Sequence, residues 1–234
     1  MVIACLTTIP PRINDECRLT IDSLLHQVDR IFLCVSHEYQ RFGKMETIPS
    51  YLLEEPYCYK VKVIIHPDYG SASKYIGALE EIVNLDEWIF ICDDDQEYHP
   101  ELISKMSKAA VGKNCVYQNR YEIFSRYGTH GGYIHGFVGL FIHSTMMAEL
   151  RDFPLPYCAR YVDDQWFSLY CFFHNILIQP TGVFEYHDIY KVLQNSFEKV
   201  GKESLAVLGG REDYIRDLCA FFKVQISSIN IHKL

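Results

Sequence analysis

The nine cysteines include no Cys-x-x-Cys pair, and several sit inside apolar runs: Cys5, Cys34, Cys92 and Cys171. They read as buried free thiols of a reducing compartment, with at least one unpaired within a monomer because nine is odd. No Gly-x-Gly-x-x-Gly follows the first strand-like run. "TTIPPR" stands there instead, which argues against a dinucleotide dehydrogenase. No apolar run approaches the roughly 18 residues of a spanning helix. The opening "MVIACLTTIPPRI" is short, and Arg12 is its one early basic residue, so it makes a poor signal peptide. No integral membrane segment is expected, a membrane-bound acceptor would need another means of recruitment, and the cytoplasm is the expected location. Positive charge is not in excess. Lys and Arg number 22 against 30 Asp and Glu, a formal net charge of -8, so nucleic acid is not an expected partner. An anionic small ligand stays compatible if a cation or local Lys and Arg neutralise it. There is no internal repeat, low-complexity segment or convincing linker.

What is present is a soluble globular composition, 49% apolar and 22% charged over 234 residues, enough for one substantial core. Short branched and aromatic runs at 2–6, 30–36, 60–65 and 88–92 read as strands. Between them, 15–26 and "SASKYIGALEEIV" (71–83) read as helices, the second capped by Ser71. Pro100 fits the first turn of a further helix, with Leu102, Ile103, Met106 and Ala110 as its buried stripe. A β–α–β series predicts an α/β fold with a mostly parallel, twisted sheet flanked by helices. The second half is less regular. Strands are expected at 114–119, 137–142 and 175–180, and a helix at 163–173. Two helical patterns in the tail are split by Gly209 and Gly210. One domain, 1–234, is expected, with a regular half to 110, a less regular half over 111–190 and a helical tail from 191.

In such folds ligands lie beyond the carboxyl ends of the strands. There "WIFIC" ends in Asp93, Asp94 and Asp95. Adjacent like charges repel, so the triplet is either a solvated turn or a cation site. If the chain stays extended, Asp93 and Asp95 point the same way and can share Mg²⁺ or Mn²⁺ through hard oxygen ligands. Asp94, pointing the other way, could meet a ribose hydroxyl or its own turn.

Five stretches in this order, "CLTTIPPRI" (5–13), "PDYGSASKYIGAL" (67–79), "ICDDDQEYHPELI" (91–103), "HGGYIHGFVG" (130–139) and "VDDQWFSLY" (162–170), resemble a small GT-A-fold, metal-dependent glycosyltransferase. The narrower likeness is to enzymes of large algal viruses that glycosylate the capsid protein, which implies the host cytoplasm as location. The resemblance covers residues 2 to 190 and implies a GT-A-type sheet with an irregular acceptor-side second half. It implies that Asp93 and Asp95 bind Mn²⁺ or Mg²⁺ bridging the diphosphate of a nucleotide-sugar donor, with UDP the default. Thr7, Thr8, Ile9, Pro10 and Arg12 after strand one, Asp68 and Gly70 after strand three, and Asp94 would lie against the nucleotide. Lys74 would sit near the phosphates, or else be an exposed helix lysine. The late pair Asp163 and Asp164 stands where inverting members usually carry Glu-Asp. Asp164 is the candidate base, and helix capping by the pair is the plainer alternative. His187 fits a late additional metal ligand, with Asp188 beside it. Trp166 either stacks on an acceptor sugar or fills the core.

The implied reaction is metal-dependent, inverting transfer to a hydroxyl of a glycan or glycoprotein acceptor, in a chain that could also be one domain of a larger glycosyltransferase. Asp164 should then lie across the sugar from the metal. A nucleotidyltransferase acting on a sugar phosphate and an inactive glycan-binding module are the alternatives.

Overall fold

The computed structural model describes residues 1–45, 47–82, 85–119, 134–185, 188–193 and 210–224. Its strands form where branched and aromatic residues cluster: β1 (Val2–Thr7), β2 (Arg30–Ser36), β5 (Val61–His66), β6 (Trp88–Cys92), β8 (Cys115–Gln118), β9 (Leu140–His143) and β10 (Leu177–Pro180). They make one sheet in the order β10-β8-β9-β6-β1-β2-β5. Within it β9 pairs antiparallel with β6 and β8, and the other neighbours pair parallel. Two short ribbons complete the described strands: β3 (Glu38–Tyr39) with β4 (Gly43–Lys44), and β7 (Gln96–Tyr98) with β11 (Tyr190–Val192).

Strand side chains alternate between two cores. Ile3, Cys5, Ile89 and Ile91 enter one, and Ala4, Leu6, Phe90 and Cys92 enter the other. Period-two alternation with both faces apolar requires cover on each side. On the first face lie α3 (Ser73–Ile76), α4 (Leu79–Ile82), α6 (Asp163–Phe173) and α7 (Arg211–Phe221), supplying Tyr75, Trp166 and Leu218. On the second lie α1 (Glu16–Leu24) and α5 (Leu102–Ala109), supplying Ile21, Leu24 and Met106. The short α2 (Tyr57–Lys60) leads into β5. Among the described residues no helix is long and apolar enough to cross a membrane.

Three local expectations change. The helix expected over 71–83 is a 3-10 turn (Gly70–Ala72), then α3 and α4. Ser71 does not cap it; its hydroxyl donates to Arg160 O and Asp163 Oδ1. The strand expected over 137–142 begins at Leu140, because Gly136–Val138 forms a 3-10 turn and Gly139 takes φ 80°. A side chain at Gly139 would also overlap the Phe90 ring, so a residue other than glycine is strained there twice over. In the tail, 194–209 lies outside the described residues.

Candidate active site

Strands β1, β2, β5 and β6 end together, and a cleft of about 330 Å³ opens beyond those ends, a size suited to a small-molecule ligand. Thr7, Thr8, Ile9 and Arg12 from the turn after β1 line it, as do Asp68, Gly70 and Lys74, the triplet Asp93–Asp95, and Asp163 and Asp164. Pro10 is not in the lining. It lies in the turn closed by Arg12 N donating to Ile9 O at 3.0 Å. His187 lies outside the described residues.

The triplet is held from both sides. Its last residue runs into β7, whose backbone is fixed by α1 through Thr20 and Ser23, and Leu193 N donates to Asp95 O. Asp93 N donates to Tyr98 Oη. Asp94 is buried and accepts from Thr8 Oγ1 at 2.6 Å and from Arg12 Nη1 at 2.9 Å. The same Arg12 Nη1 lies 3.0 Å from Asp95 Oδ2. Burial opposes the charge on Arg12, but Asp94 and Asp95 outweigh it and hold its pKa up.

Lys74 is not an exposed helix lysine. Its side chain is 4% exposed, and its Nζ lies 2.6 Å from Asp93 Oδ1, 2.8 Å from Asp163 Oδ2 and 3.6 Å from Asp164 Oδ1. Burial works against its charge, while Asp163, Asp93 and Asp164 raise its pKa well above the ordinary lysine value. One ammonium therefore ties two acidic motifs that lie some seventy residues apart in sequence.

Neither Asp163 nor Asp164 caps α6, whose N-terminus has no side-chain cap. Asp163 instead accepts from Ser71 Oγ at 2.6 Å. Asp164 accepts from Gly136 N at 2.9 Å and Tyr75 Oη at 3.1 Å. Burial pushes the Asp164 carboxyl up to about 6; Lys74 opposes this, and Asp163 and Asp93 add to it. Burial likewise raises Asp93, against the pull of Lys74. Asp164 thus lies within reach of the same ammonium as Asp93, nearer to the triplet than the expected position across the sugar from the metal, because Lys74 is buried between the two motifs. Trp166 is in the core: it is fully buried, and its Nε1 donates to Pro154 O.

Asp68 has a structural task beside its place in the lining. One oxygen accepts from Gln40 N at 2.9 Å and the other from Gly70 N at 2.8 Å. It pins the β3–β4 hairpin to the turn after β5. That hairpin brings Tyr39, Arg41 and Phe42 into the cleft, and Tyr161 and Arg211 line it as well. None of these five was singled out from the sequence. The signal for the hairpin was positional, since "SHEYQRFG" follows the carboxyl end of a central strand. Arg211 carries no such signal, because α7 follows a stretch that neither pattern nor motif ties to the cleft.

The triplet implies a divalent cation. Among the described residues no three His, Cys, Asp or Glu side chains gather as a ready ligand group. The residues present nevertheless fit such an ion in charge and donor chemistry. Asp93, Asp94, Asp95, Asp163 and Asp164 crowd one wall, with Arg12 and Lys74 as their paired cations. Added positive charge relieves Asp93 and Asp164, which burial holds above the ordinary carboxylate range, and hard oxygens suit Mg²⁺ or Mn²⁺.

No protein-family model and no curated protein matches the sequence. Solved structures share its fold. TarS 1–349 from S. aureus gives a TM-score of 0.56 at 11% identity, over 99% of this chain and 68% of that one. Glucosyl-3-phosphoglycerate synthase from Mycobacterium tuberculosis, in complex with phosphoglyceric acid, gives 0.53 at 12% identity over 94% and 80%. A cytidylyltransferase from Leptospira borgpetersenii serovar Hardjo-bovis gives 0.53 at 13% identity over 97% of each chain. Identities this low establish the GT-A-type α/β fold and no particular activity. These three relatives are bacterial, and the likeness to algal-virus enzymes gains no support from them.

Proposed function

We propose that the chain is a glycosyltransferase that moves a sugar from a nucleoside-diphosphate donor, UDP-linked by default, to a hydroxyl of a glycan or glycoprotein by a single inverting displacement. The observation that carries this reading is the meeting of the triplet and the late Asp pair on Lys74, inside a cleft at the carboxyl ends of parallel strands.

Asp164 is the general base. Its pKa of about 6 leaves it ionised at neutral pH while keeping it close to the proton it must take. Gly136 N and Tyr75 Oη fix its orientation. As the acceptor oxygen attacks the anomeric carbon, its hydroxyl becomes acidic and passes its proton to Asp164. The bond to the diphosphate oxygen breaks on the opposite face of the sugar. Asp163, bonded to Ser71 and Lys74, positions the lysine rather than taking a proton. Asp93 and Asp95 would hold a Mn²⁺ or Mg²⁺ ion, which supplies Lewis-acid compensation of the diphosphate charge when bound.

Nucleotidyl transfer to a sugar phosphate is the second reading, favoured by the end-to-end match to a cytidylyltransferase. A phosphate nucleophile is already ionised and needs no base, whereas an alcohol does, so a desolvated, oriented Asp164 favours glycosyl transfer. The test is release of nucleoside diphosphate from a panel of UDP-, GDP- and CDP-sugars by the wild type and by Asp164→Asn. Glycosyl transfer requires release by the wild type and a loss of 10²–10⁴-fold in the variant, with donor affinity retained. Pyrophosphate release from a nucleoside triphosphate, with no diphosphate release from any sugar nucleotide, would establish the second reading instead.

A further inference from the structure

The two cations that the sequence offers to phosphate groups sit on the carboxylates proposed to hold the divalent ion. Lys74 Nζ lies 2.6 Å from Asp93 Oδ1, and Arg12 Nη1 lies 3.0 Å from Asp95 Oδ2. Each cation also touches a second carboxylate that is not a proposed ligand. Lys74 Nζ is 2.8 Å from Asp163 Oδ2, and Arg12 Nη1 is 2.9 Å from Asp94 Oδ1.

The two halves of the Lys74 pairing are not held alike. Asp163 is fixed without the lysine, since it accepts from Ser71 Oγ at 2.6 Å, and its side chain is 11% exposed. The Asp93 side chain is 32% exposed, and among the described residues Lys74 is the one donor to its carboxylate. Asp95 differs again, because Gln96 Nε2 donates to it at 3.0 Å beside Arg12. Asp93 is therefore the proposed ligand whose carboxylate depends on a single protein cation, and that cation has a second carboxylate in reach. An ion bound through either oxygen of Asp93 meets the ammonium on the same carboxylate, where like charges repel.

We infer that the ammonium of Lys74 competes with the divalent ion for Asp93, so that the ion enters by exchange and Lys74 withdraws to Asp163. The lysine is then a counter-ion that keeps the acidic wall assembled before the ion arrives. Withdrawal leaves the ammonium paired, because it already touches Asp163. An ion that arrives with a diphosphate brings the negative charge that offsets the repulsion, so uptake with the donor is favoured over uptake ahead of it. The inference rests on the metal site proposed above.

The test is calorimetric titration of the whole chain with Mn²⁺ at neutral pH, without nucleotide. Wild type, Lys74→Met, Lys74→Gln and Lys74→Arg are compared, each with its melting temperature in the presence and absence of Mn²⁺. The methionine and glutamine variants should each bind Mn²⁺ about tenfold tighter or more, and Mn²⁺ should raise their melting temperatures more than that of the wild type. The arginine variant keeps the charge and should bind Mn²⁺ within about threefold of the wild type. Where a neutral variant is unfolded without metal, its refolding by Mn²⁺ is the readout, and failure of Mn²⁺ to refold either one counts against the inference. Neutral variants that bind Mn²⁺ no tighter than the wild type overturn it, and the metal reading stands if the wild type binds Mn²⁺ alone or with UDP, GDP or CDP. Binding by no chain under any of these conditions removes the metal reading, and the inference with it.

Discussion

Lys74 is 4% exposed and faces Asp93, Asp163 and Asp164. Lys74→Met leaves buried Asp163 and the partly buried Asp93 and Asp164 without their shared counter-charge, a loss below the about 3–5 kcal/mol of a broken, fully buried pair. A melting temperature lowered by several degrees at pH 8, and restored in part near pH 5 where Asp164 regains its proton, is the expected outcome. Asp164 behaves in the opposite sense. Its carboxyl titrates near 6 in the folded chain, above its unfolded value, so its ionisation subtracts stability as pH rises from about 4 through 6. Above that range the cost is at most about 3 kcal/mol. Asp164→Asn should therefore melt no lower than the wild type at pH 8 while losing transfer. In the wild type, kcat/KM should fall as pH drops below about 6, since the base is then protonated. A profile flat down to pH 5, or a variant that transfers at the wild-type rate, would remove Asp164 from that role.

Elements carry these residues to one place, and two glycines control how closely. A side chain at Gly136 would overlap Asp164 Oδ1 and Lys74 Nζ, and one at Gly139 would overlap the Phe90 ring. Gly136→Ala should cut transfer more than stability, because the neighbours it displaces are a flexible lysine and the proposed base. Gly139→Ala should cut stability, by about 2 kcal/mol or more, since it adds strain at φ 80° to a clash in the core. Parallel melting and activity measurements separate the two, and equal effects on both quantities in both variants would contradict this division. Much at this scale was legible beforehand. The runs at 2–6, 30–36 and 88–92 are strands, and 163–173 is a helix, because branched runs and the helical period both point to buried faces. Less legible was whatever depends on partners far away in sequence. Ser71 looked like a cap until Asp163 and Arg160 arrived beside it. Lys74 could be read beside phosphates or as an exposed lysine until three carboxyls enclosed it, and Trp166 as a sugar platform or as core until its full burial decided for the core.

On the scale of the whole molecule, a formal charge of -8 coexists with a cleft lined by six aspartates, which Arg12 and Lys74 balance only in part. A surplus of carboxylates suits a ligand that arrives with a cation, as the proposed nucleoside diphosphate with its divalent ion would. The fold alone does not decide this, since one GT-A-type sheet is shared with enzymes that differ in name and in the group transferred. Titration of the folded chain with UDP, GDP and CDP, in Mn²⁺ and again in EDTA, tests the account at its centre. It predicts that one of the three diphosphates binds in Mn²⁺ and that EDTA weakens or abolishes the binding. A folded chain that binds none of them in either condition would contradict it.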